Sequence, residues 1–395
     1  VFKDRNRLIS TGRRPFIRDL DTLPLPARHL LPMARYQALG YPVSIITSRG
    51  CPNQCIFCLG RRMVGHKVRF RSIRQIVDEI EILTRYGIFV MNIADDLFTV
   101  SRRRVRAFCA ELDRRNLHIS WSAFSRVNTI DAETLTLMKN AGCHGVSFGI
   151  ESGNPEMLKR VKKGITIDQA KNASTACQLA GIRGHASFMV GLPGETLETM
   201  NDSLALQQEL EIESAYHFLA PFPGTAVREN IAEYDLEILT NDWDAYHANQ
   251  SIVRTSSLSP EQMDAFVYAA GEPIRKDWEA LKQRYTTHTA TPYEQMQVGG
   301  HYRTQMIFAL LSQDILETWP ADTSDPDSAQ EHLCAHVSAV TDLDLSFVRL
   351  TLQDLMNKGY IRMTIFNEST SFSWSDAHRP SASDTLTPEY LRQGA

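Results

Sequence analysis

No apolar run in these 395 residues reaches the roughly 18 needed for a membrane-crossing helix, and no charged-then-apolar leader opens the chain. The expectation is a protein of the reducing cytoplasm with no membrane contact. Cysteine is scarce as well: Cys51, Cys55, Cys58, Cys109, Cys143, Cys177 and Cys334 make an odd set of 7, with the first three crowded together. That distribution excludes a disulfide-stapled framework. A dominant charge sign is missing, since 42 Lys and Arg stand against 46 Asp and Glu for a net charge of -4. Nucleic acid is therefore an unlikely partner. Beyond an alternation of strands and helices, no internal repeat of fixed period is visible.

What is present is ordinary globular material, 43% hydrophobic and 22% charged, in a chain long enough for one large domain and a smaller one. The charge is unevenly placed. Residues 1–75 hold 15 basic against 3 acidic side chains, and the remainder holds 27 against 43. A local basic surface can neutralise an anionic ligand or an acidic partner. The chain opens on Val1, and Pro15, Pro24 and Pro26 interrupt any regular element in an Arg- and Leu-rich stretch, so residues 1–41 read as a linker or the remnant of an upstream domain.

From Pro42 onward, short β-branched or aromatic runs alternate with longer amphipathic stretches, which predicts repeated βα units on one parallel sheet. The expected strands are 43–47, 88–93, 118–123, 145–150, 184–190 and 215–219. Ile76, Val77, Ile80 and Leu83 recur at helical spacing after the first. Six such units over 42–255 predict an α/β fold, a partial (βα)6 TIM-like barrel whose chemistry sits at the carboxyl ends of its strands. Residues 256–300 read as a helical connector. Helices at 302–316, 330–340 and 345–358 and a strand at 360–365 suggest a winged-helix-like module over 301–366, placed as a lid or docking element. Ser, Thr and Pro fill 367–395, which reads as a flexible tail.

Directly after the first strand, Arg49-Gly50-Cys51-Pro52-Asn53-Gln54-Cys55-Ile56-Phe57-Cys58 sets three thiols at C-x3-C-x2-C. Three thiolates on one loop leave one iron of a 4Fe-4S cube open to an external ligand. A structural zinc site closed by His66 uses the same residues. The spacing, with Phe57 before the last cysteine, resembles the cluster loop of the radical S-adenosylmethionine superfamily. That resemblance implies a 4Fe-4S cluster on Cys51, Cys55 and Cys58 whose open iron is chelated by S-adenosylmethionine. It also implies reductive cleavage to a 5'-deoxyadenosyl radical, and an electron donor such as a flavodoxin or ferredoxin.

The other strand ends carry the resemblance further. Asn92-Ile93-Ala94-Asp95-Asp96 stands where many members have a Gly-Gly-Glu-like stretch for the methionine ammonium, so Asp95 and Asp96 are candidates for that role. Arg126 follows the third strand and could pair with a carboxylate. Gly149-Ile150-Glu151-Ser152-Gly153 looks like the family's G-x-E-S-G strand end, which assigns Glu151 and Ser152 to S-adenosylmethionine. In Gly191-Leu192-Pro193-Gly194-Glu195-Thr196, the resemblance places Gly191 and Pro193 beside the adenine, while Glu195 or Thr196 could equally support a helix start. Pro221-Phe222-Pro223-Gly224-Thr225 resembles the stretch that closes the barrel, and His185 and His217 are candidates to face substrate.

The segment Pro15 to Arg28 resembles the connector of members with a cobalamin-binding domain before the barrel. Cobalamin is then possible only through a missing upstream domain, because no D-x-H-x-x-G loop occurs here. The expected activity is a radical enzyme that abstracts hydrogen from a small-molecule or peptide substrate, with cobalamin-linked methyl transfer as one outcome. The competing readings are a zinc-binding winged-helix adaptor without turnover, and a methylthiotransferase on RNA or protein. The last normally needs a second cluster, for which Cys109, Cys143, Cys177 and Cys334 show no clustered spacing.

Overall fold

The computed structural model describes residues 2–12 and 14–375. Six strands form one sheet: β1 (Val43–Ile45), β2 (Val90–Ile93), β3 (Ser120–Ser125), β4 (Cys143–Glu151), β5 (Arg183–Val190) and β6 (Glu213–Phe218), in the order β6-β5-β4-β3-β2-β1. Spatial order follows chain order, as expected of consecutive βα units winding in one direction. The pairs β3–β4, β4–β5 and β5–β6 are parallel. The connecting helices are α1 (Ile73–Arg85), α2 (Arg102–Arg114), α3 (Ala132–Asn140), α4 (Ile167–Ala180) and α5 (Leu197–Leu210). This is an open (βα)6 arrangement, consistent with a partial TIM barrel. The chain divides into two compact units: Val1–Pro24, Ser44–Val77 and Asn92–Val267 make one, and Leu25–Val43, Asp78–Met91 and the residues from Tyr268 make the other.

Side-chain alternation gives the sheet two unlike faces. Trp121, Ala123, Phe148, Ile150, Ala186, Phe188 and Val190 are buried, and Trp121 meets Phe98 and Phe108 edge to face at 5.6 and 5.4 Å. The opposite face carries Ser122, Ser147, His185 and Ser187, all half-buried, with Phe124 exposed. Phe124, Ser147, His185 and Glu213 line up as one row across four strands. A closed barrel fills that space with branched apolar side chains. Here small and polar side chains leave the inner face open to a ligand.

Two strand boundaries that shape the strand ends differ from the sequence reading. β1 stops at Ile45 because Thr47 and Ser48 turn their amides and hydroxyls to a carboxylate instead of continuing the ladder. β3 runs two residues later than expected, which puts Arg126 immediately after it. Residues 1–41 hold an exposed ribbon, Phe2–Asp4 against Arg7–Ile9, and a helix, Met33–Leu39, around the proline-broken stretch.

In the second unit, α6 (Glu272–Thr286), α7 (Pro292–Ser312), α8 (Pro326–Thr341) and α9 (Leu345–Asn357) precede an antiparallel hairpin of β7 (Ile361–Phe366) and β8 (Ser369–Trp374). Leu310, Leu333, Val337, Val348, Leu352, Ile361 and Phe372 share one core. β8 occupies residues assigned from sequence to the flexible tail; Thr370 and Phe372 are buried at period two, so the hairpin's inner row is what holds it. The rest of that tail, from residue 376, lies outside the described residues.

Gly142 leads into β4 at φ 89°, and a side chain there would run into the Ile119 carbonyl. Gly300 sits inside α7 with nothing within 4 Å of the Cβ position. Gly142→Ala is expected to cost about 2–4 kcal/mol, and Gly300→Ala to add about 0.5–1 kcal/mol. Opposite shifts in Tm on thermal unfolding check the pair.

Candidate active site

The cysteine loop is clamped at its base. Ser48–Arg49 pairs antiparallel with Arg69–Phe70, and the Cys51 amide donates to the Gly65 carbonyl at 3.1 Å. Gly50 holds φ 112°, and a Cβ there would lie 2.5 Å from the Lys67 carbonyl oxygen, so only glycine lets the two limbs approach this closely. Farther along, the Ile56 amide donates to the Val161 carbonyl and the Val227 amide to the Ile56 carbonyl. Ile56 is buried and Phe57 packs on the same apolar cluster with Met157, Val161 and Leu192. Phe57 thus anchors the loop.

Each sulfur receives one donor. Asn53 Nδ2 reaches Cys51 Sγ at 3.2 Å, Arg126 Nη1 reaches Cys55 Sγ at 3.7 Å and the Gly60 amide reaches Cys58 Sγ at 3.4 Å. Desolvation, followed by Cys55, Cys51 and Asp96, pushes the Cys58 thiol up against the opposing pull of the Gly60 N–H. Among the described residues, no group of three His, Cys, Asp or Glu side chains is arranged to hold a single metal ion. As a donor set, three sulfurs on one loop, each with its own N–H donor, fit a polynuclear iron–sulfur cluster, whose sulfurs are tuned by such hydrogen bonds.

Asp95 and Asp96 separate cleanly. Asp95 is buried and accepts from the Thr47 amide and hydroxyl, both at 2.6 Å, and from the Ser48 amide and hydroxyl at 3.0 and 2.6 Å. These four bonds saturate its oxygens and lock the end of β1 to the end of β2, which leaves no lone pair for an ammonium group. Asp96 is exposed; its Oδ2 takes the Gly50 amide at 3.2 Å, and Oδ1 lies beside Gly60 and Cys58.

Arg126 is buried without a carboxylate partner among the described residues. Its guanidinium donates to Cys55 Sγ, to Asn128 Oδ1 at 3.4 Å and to the carbonyls of Lys163 and Gly164. Glu151 stands at φ 75° where the β4–β5 register slips, an uncommon conformation for a residue with a side chain. Its Oε1 pairs with Lys163 Nζ at 2.6 Å, both side chains being buried. Lys163 was not singled out from sequence: it lies 12 residues beyond Glu151, and only the fold joins them.

Other residues named from the sequence hold bonds or close contacts within the protein. Ser152 is fully buried, with its Oγ 3.3 Å from Ser203 Oγ and accepting from the Asn154 amide, so it fastens the strand end to α5. A Cβ on Gly191 would sit 2.9 Å from Val253 Cγ2, and the Pro193 carbonyl accepts from Arg160 at 3.1 Å. Both are enclosed by protein. Thr196 caps α5, whereas Glu195 folds back so that Oε2 accepts from the Gly191 amide at 2.6 Å and the Leu192 amide at 3.2 Å. His185 is half-buried and His217 exposed on β5 and β6. Burial pushes the Cys109 and Cys143 thiols up to about 12 and Cys177 to about 11, which marks them as inert core side chains.

Residues 45–206 match the radical SAM superfamily. The chain is 34% identical over 272 residues to an uncharacterized methyltransferase of Pyrococcus horikoshii, covering 68% of this chain and 59% of the relative. It is 29% identical over 267 residues to the anaerobic magnesium-protoporphyrin IX monomethyl ester cyclase of Rubrivivax gelatinosus, covering 65% and 46%. Among solved structures, a radical S-adenosylmethionine methyltransferase from Kitasatospora setae with cobalamin and a 4Fe-4S cluster bound is similar at 26% identity and a TM-score of 0.48, over 51% of this chain and 42% of that one. The chain spans about half the length of the relatives it matches.

Burial raises the Glu195 carboxyl to about 8, and its Oε1 has no hydrogen-bond partner. The folded protein therefore keeps this acid protonated at pH values where the unfolded chain, near 4.5, has already lost the proton. Its contribution to stability is complete below about 4.5 and is lost as pH rises toward about 8. Glu195→Gln removes that dependence: ΔG of unfolding measured between these limits should fall with pH in the parent and lie flatter in the variant.

Proposed function

Because the chain belongs to the radical SAM superfamily, we propose that Cys51, Cys55 and Cys58 hold a 4Fe-4S cluster and that S-adenosylmethionine binds beside it at the open inner face of the sheet. A cluster held by these three cysteines would supply the one electron for reductive cleavage of S-adenosylmethionine, the chemistry by which a substrate hydrogen would be abstracted. The observation that carries this reading is the single clamped loop with three sulfurs, each met by one N–H donor.

The protein's own groups then take distinct tasks. Asp96, with one oxygen held and the other unclaimed, accepts the methionine ammonium. Asp95 positions the loop instead of touching the ligand. Arg126 places a buried positive charge on Cys55, offsetting negative charge on the thiolate set and serving the methionine carboxylate from the same side. Glu151 keeps its Oε2 for a ribose hydroxyl while Lys163 fixes Oε1. Phe57 holds the loop against the core. The row Phe124, Ser147 and His185 offers stacking and hydrogen bonds to a small-molecule or peptide substrate.

Methyl transfer is the outcome we favour, because the Pyrococcus horikoshii relative is described as a methyltransferase. Cobalamin would come from a domain outside these residues. A zinc adaptor is the weaker reading, since His66 would have to close the set alone.

Anaerobic reconstitution with iron and sulfide should give a brown protein with about four irons per chain that releases 5'-deoxyadenosine. Each of Cys51→Ala, Cys55→Ala and Cys58→Ala should lower iron content and abolish the nucleoside product. Full iron and activity in all three would overturn the assignment, and about one zinc per chain with no product would favour the adaptor.

The two aspartates should part company. Asp96→Asn is expected to weaken S-adenosylmethionine binding about tenfold or more, the loss of one charge-assisted bond, with Tm unchanged. Asp95→Asn should lower stability by about 1–3 kcal/mol and reduce iron loading. Titration calorimetry and thermal unfolding distinguish them.

A further inference from the structure

Beside the cysteine loop lies a hollow of about 920 Å³, lined among others by Cys55, Cys58, Arg14, Arg61, Arg62 and Lys162. All four of these cations are exposed, and none forms an ion pair among the described residues. One acid, Glu229, also lines the hollow, and its Oε1 is held by the Gly224 amide at 2.7 Å. Phe16 and Met63 border it with 49% and 67% of their surfaces exposed, so apolar surface is interleaved with the charge. None of the inner-face residues Ser122, Phe124, Ser147 and His185 lines it. Cys55 therefore touches Arg126, at the end of β3, and also opens on the hollow.

We propose that this basic hollow is the docking site of an acidic one-electron carrier protein. The proposal rests on the cluster reading above and supplies what that reading leaves open, the route of the electron. The reduced carrier gives up one electron and the oxidised cluster gains one, with no atom transferred. Cys58 is exposed while Cys51 and Cys55 are half-buried, so the cluster would be most accessible from this side.

Charge and composition favour a protein over a small anion. Exposed cations around an apolar border make a transient, electrostatically steered interface. A small-anion site instead converges buried donors on a point, whereas the four cations of this hollow are all exposed and neither of the buried cations Arg126 and Lys163 lines it. The steering field is local: residues 1–75 hold 15 basic against 3 acidic side chains in a chain of net charge -4.

The test compares the reconstituted parent with Arg61→Glu/Arg62→Glu and with Lys162→Glu, using a flavodoxin as the acidic carrier and dithionite as a small reductant. Flavodoxin affinity is read by titration calorimetry at low and high salt, and cluster reduction by stopped-flow absorbance. Docking in the hollow predicts affinity and flavodoxin-driven reduction falling about tenfold or more in both variants. The parent's affinity should weaken with salt, and dithionite-driven reduction should stay unchanged. Parent-like flavodoxin affinity in both variants would overturn the proposal. Pyrophosphate is titrated in the same way as a small-anion probe; its binding by the parent and loss in both variants with flavodoxin affinity retained would also overturn the proposal, making the hollow a small-anion site. Absence of dithionite-reducible iron in the parent would instead sink the cluster reading, while the calorimetric affinities would still decide whether the acidic carrier docks here.

Discussion

The architecture of the site depends on one buried carboxylate. Asp95 takes two amides and two hydroxyls from Thr47 and Ser48, 48 and 47 residues earlier in the chain. A buried carboxyl with this many donors has its oxygens satisfied out of water, and its bonds fix where β1 ends. From that point the chain enters the short ribbon formed with Arg69–Phe70, and everything between the two limbs becomes a closed loop. Without the brace, the cysteines would hang from a strand free to slide. With it, their backbone is held at both ends before any metal arrives.

Two further charges are buried nearby on different terms. Lys163 and Glu151 neutralise each other at 2.6 Å, so their desolvation is offset within the protein. Arg126 has no acid among the described residues, and its donors go to carbonyl oxygens, Asn128 and a cysteine sulfur. A buried guanidinium lacking a carboxylate is costly unless an anion joins it. Arg126 Nη1 reaches Cys55 Sγ, and this ties the electrostatics of β3 to the cysteine loop. The Lys163 carbonyl accepts from Arg126 while its ammonium holds Glu151, so one residue links the two strand ends.

Much of this was legible in the sequence because it is local. The three cysteines act within eight positions, and the strands carry period-two burial that any reader of Ala186, Phe188 and Val190 can find. What escaped depends on distant partners. Nothing in Asp95-Asp96 says which carboxylate is saturated until Thr47 and Ser48 are placed against them. Nothing in the sequence pairs Ser152 with Ser203, 51 residues away, which meets its hydroxyl. Lys163 sits in an unremarkable basic pair with Lys162, and its burial is a product of the fold. The strand Ser369–Trp374 was hidden by composition, since Ser and Thr suggested a tail while the alternate burial of Thr370 and Phe372 carried the strand signal.

These misses share a cause that bears on how such sites are built. A strand end in an open parallel sheet must do two things at once: present groups toward the inner face and fasten the following helix to the outer one. Adjacent residues therefore divide the work, because successive side chains near a strand end point to opposite sides. Glu151 turns to Lys163 and Ser152 to Ser203 on α5; Asp95 braces β1 and Asp96 is left exposed. In the loop after β5, Glu195 is spent on the Gly191 and Leu192 amides, holding the turn in shape with a carboxyl that burial keeps protonated. A motif read as a block assigns every residue to the ligand, whereas strand geometry allots roughly every second one. The residues that remain for chemistry are those whose polar atoms the protein has left unspent.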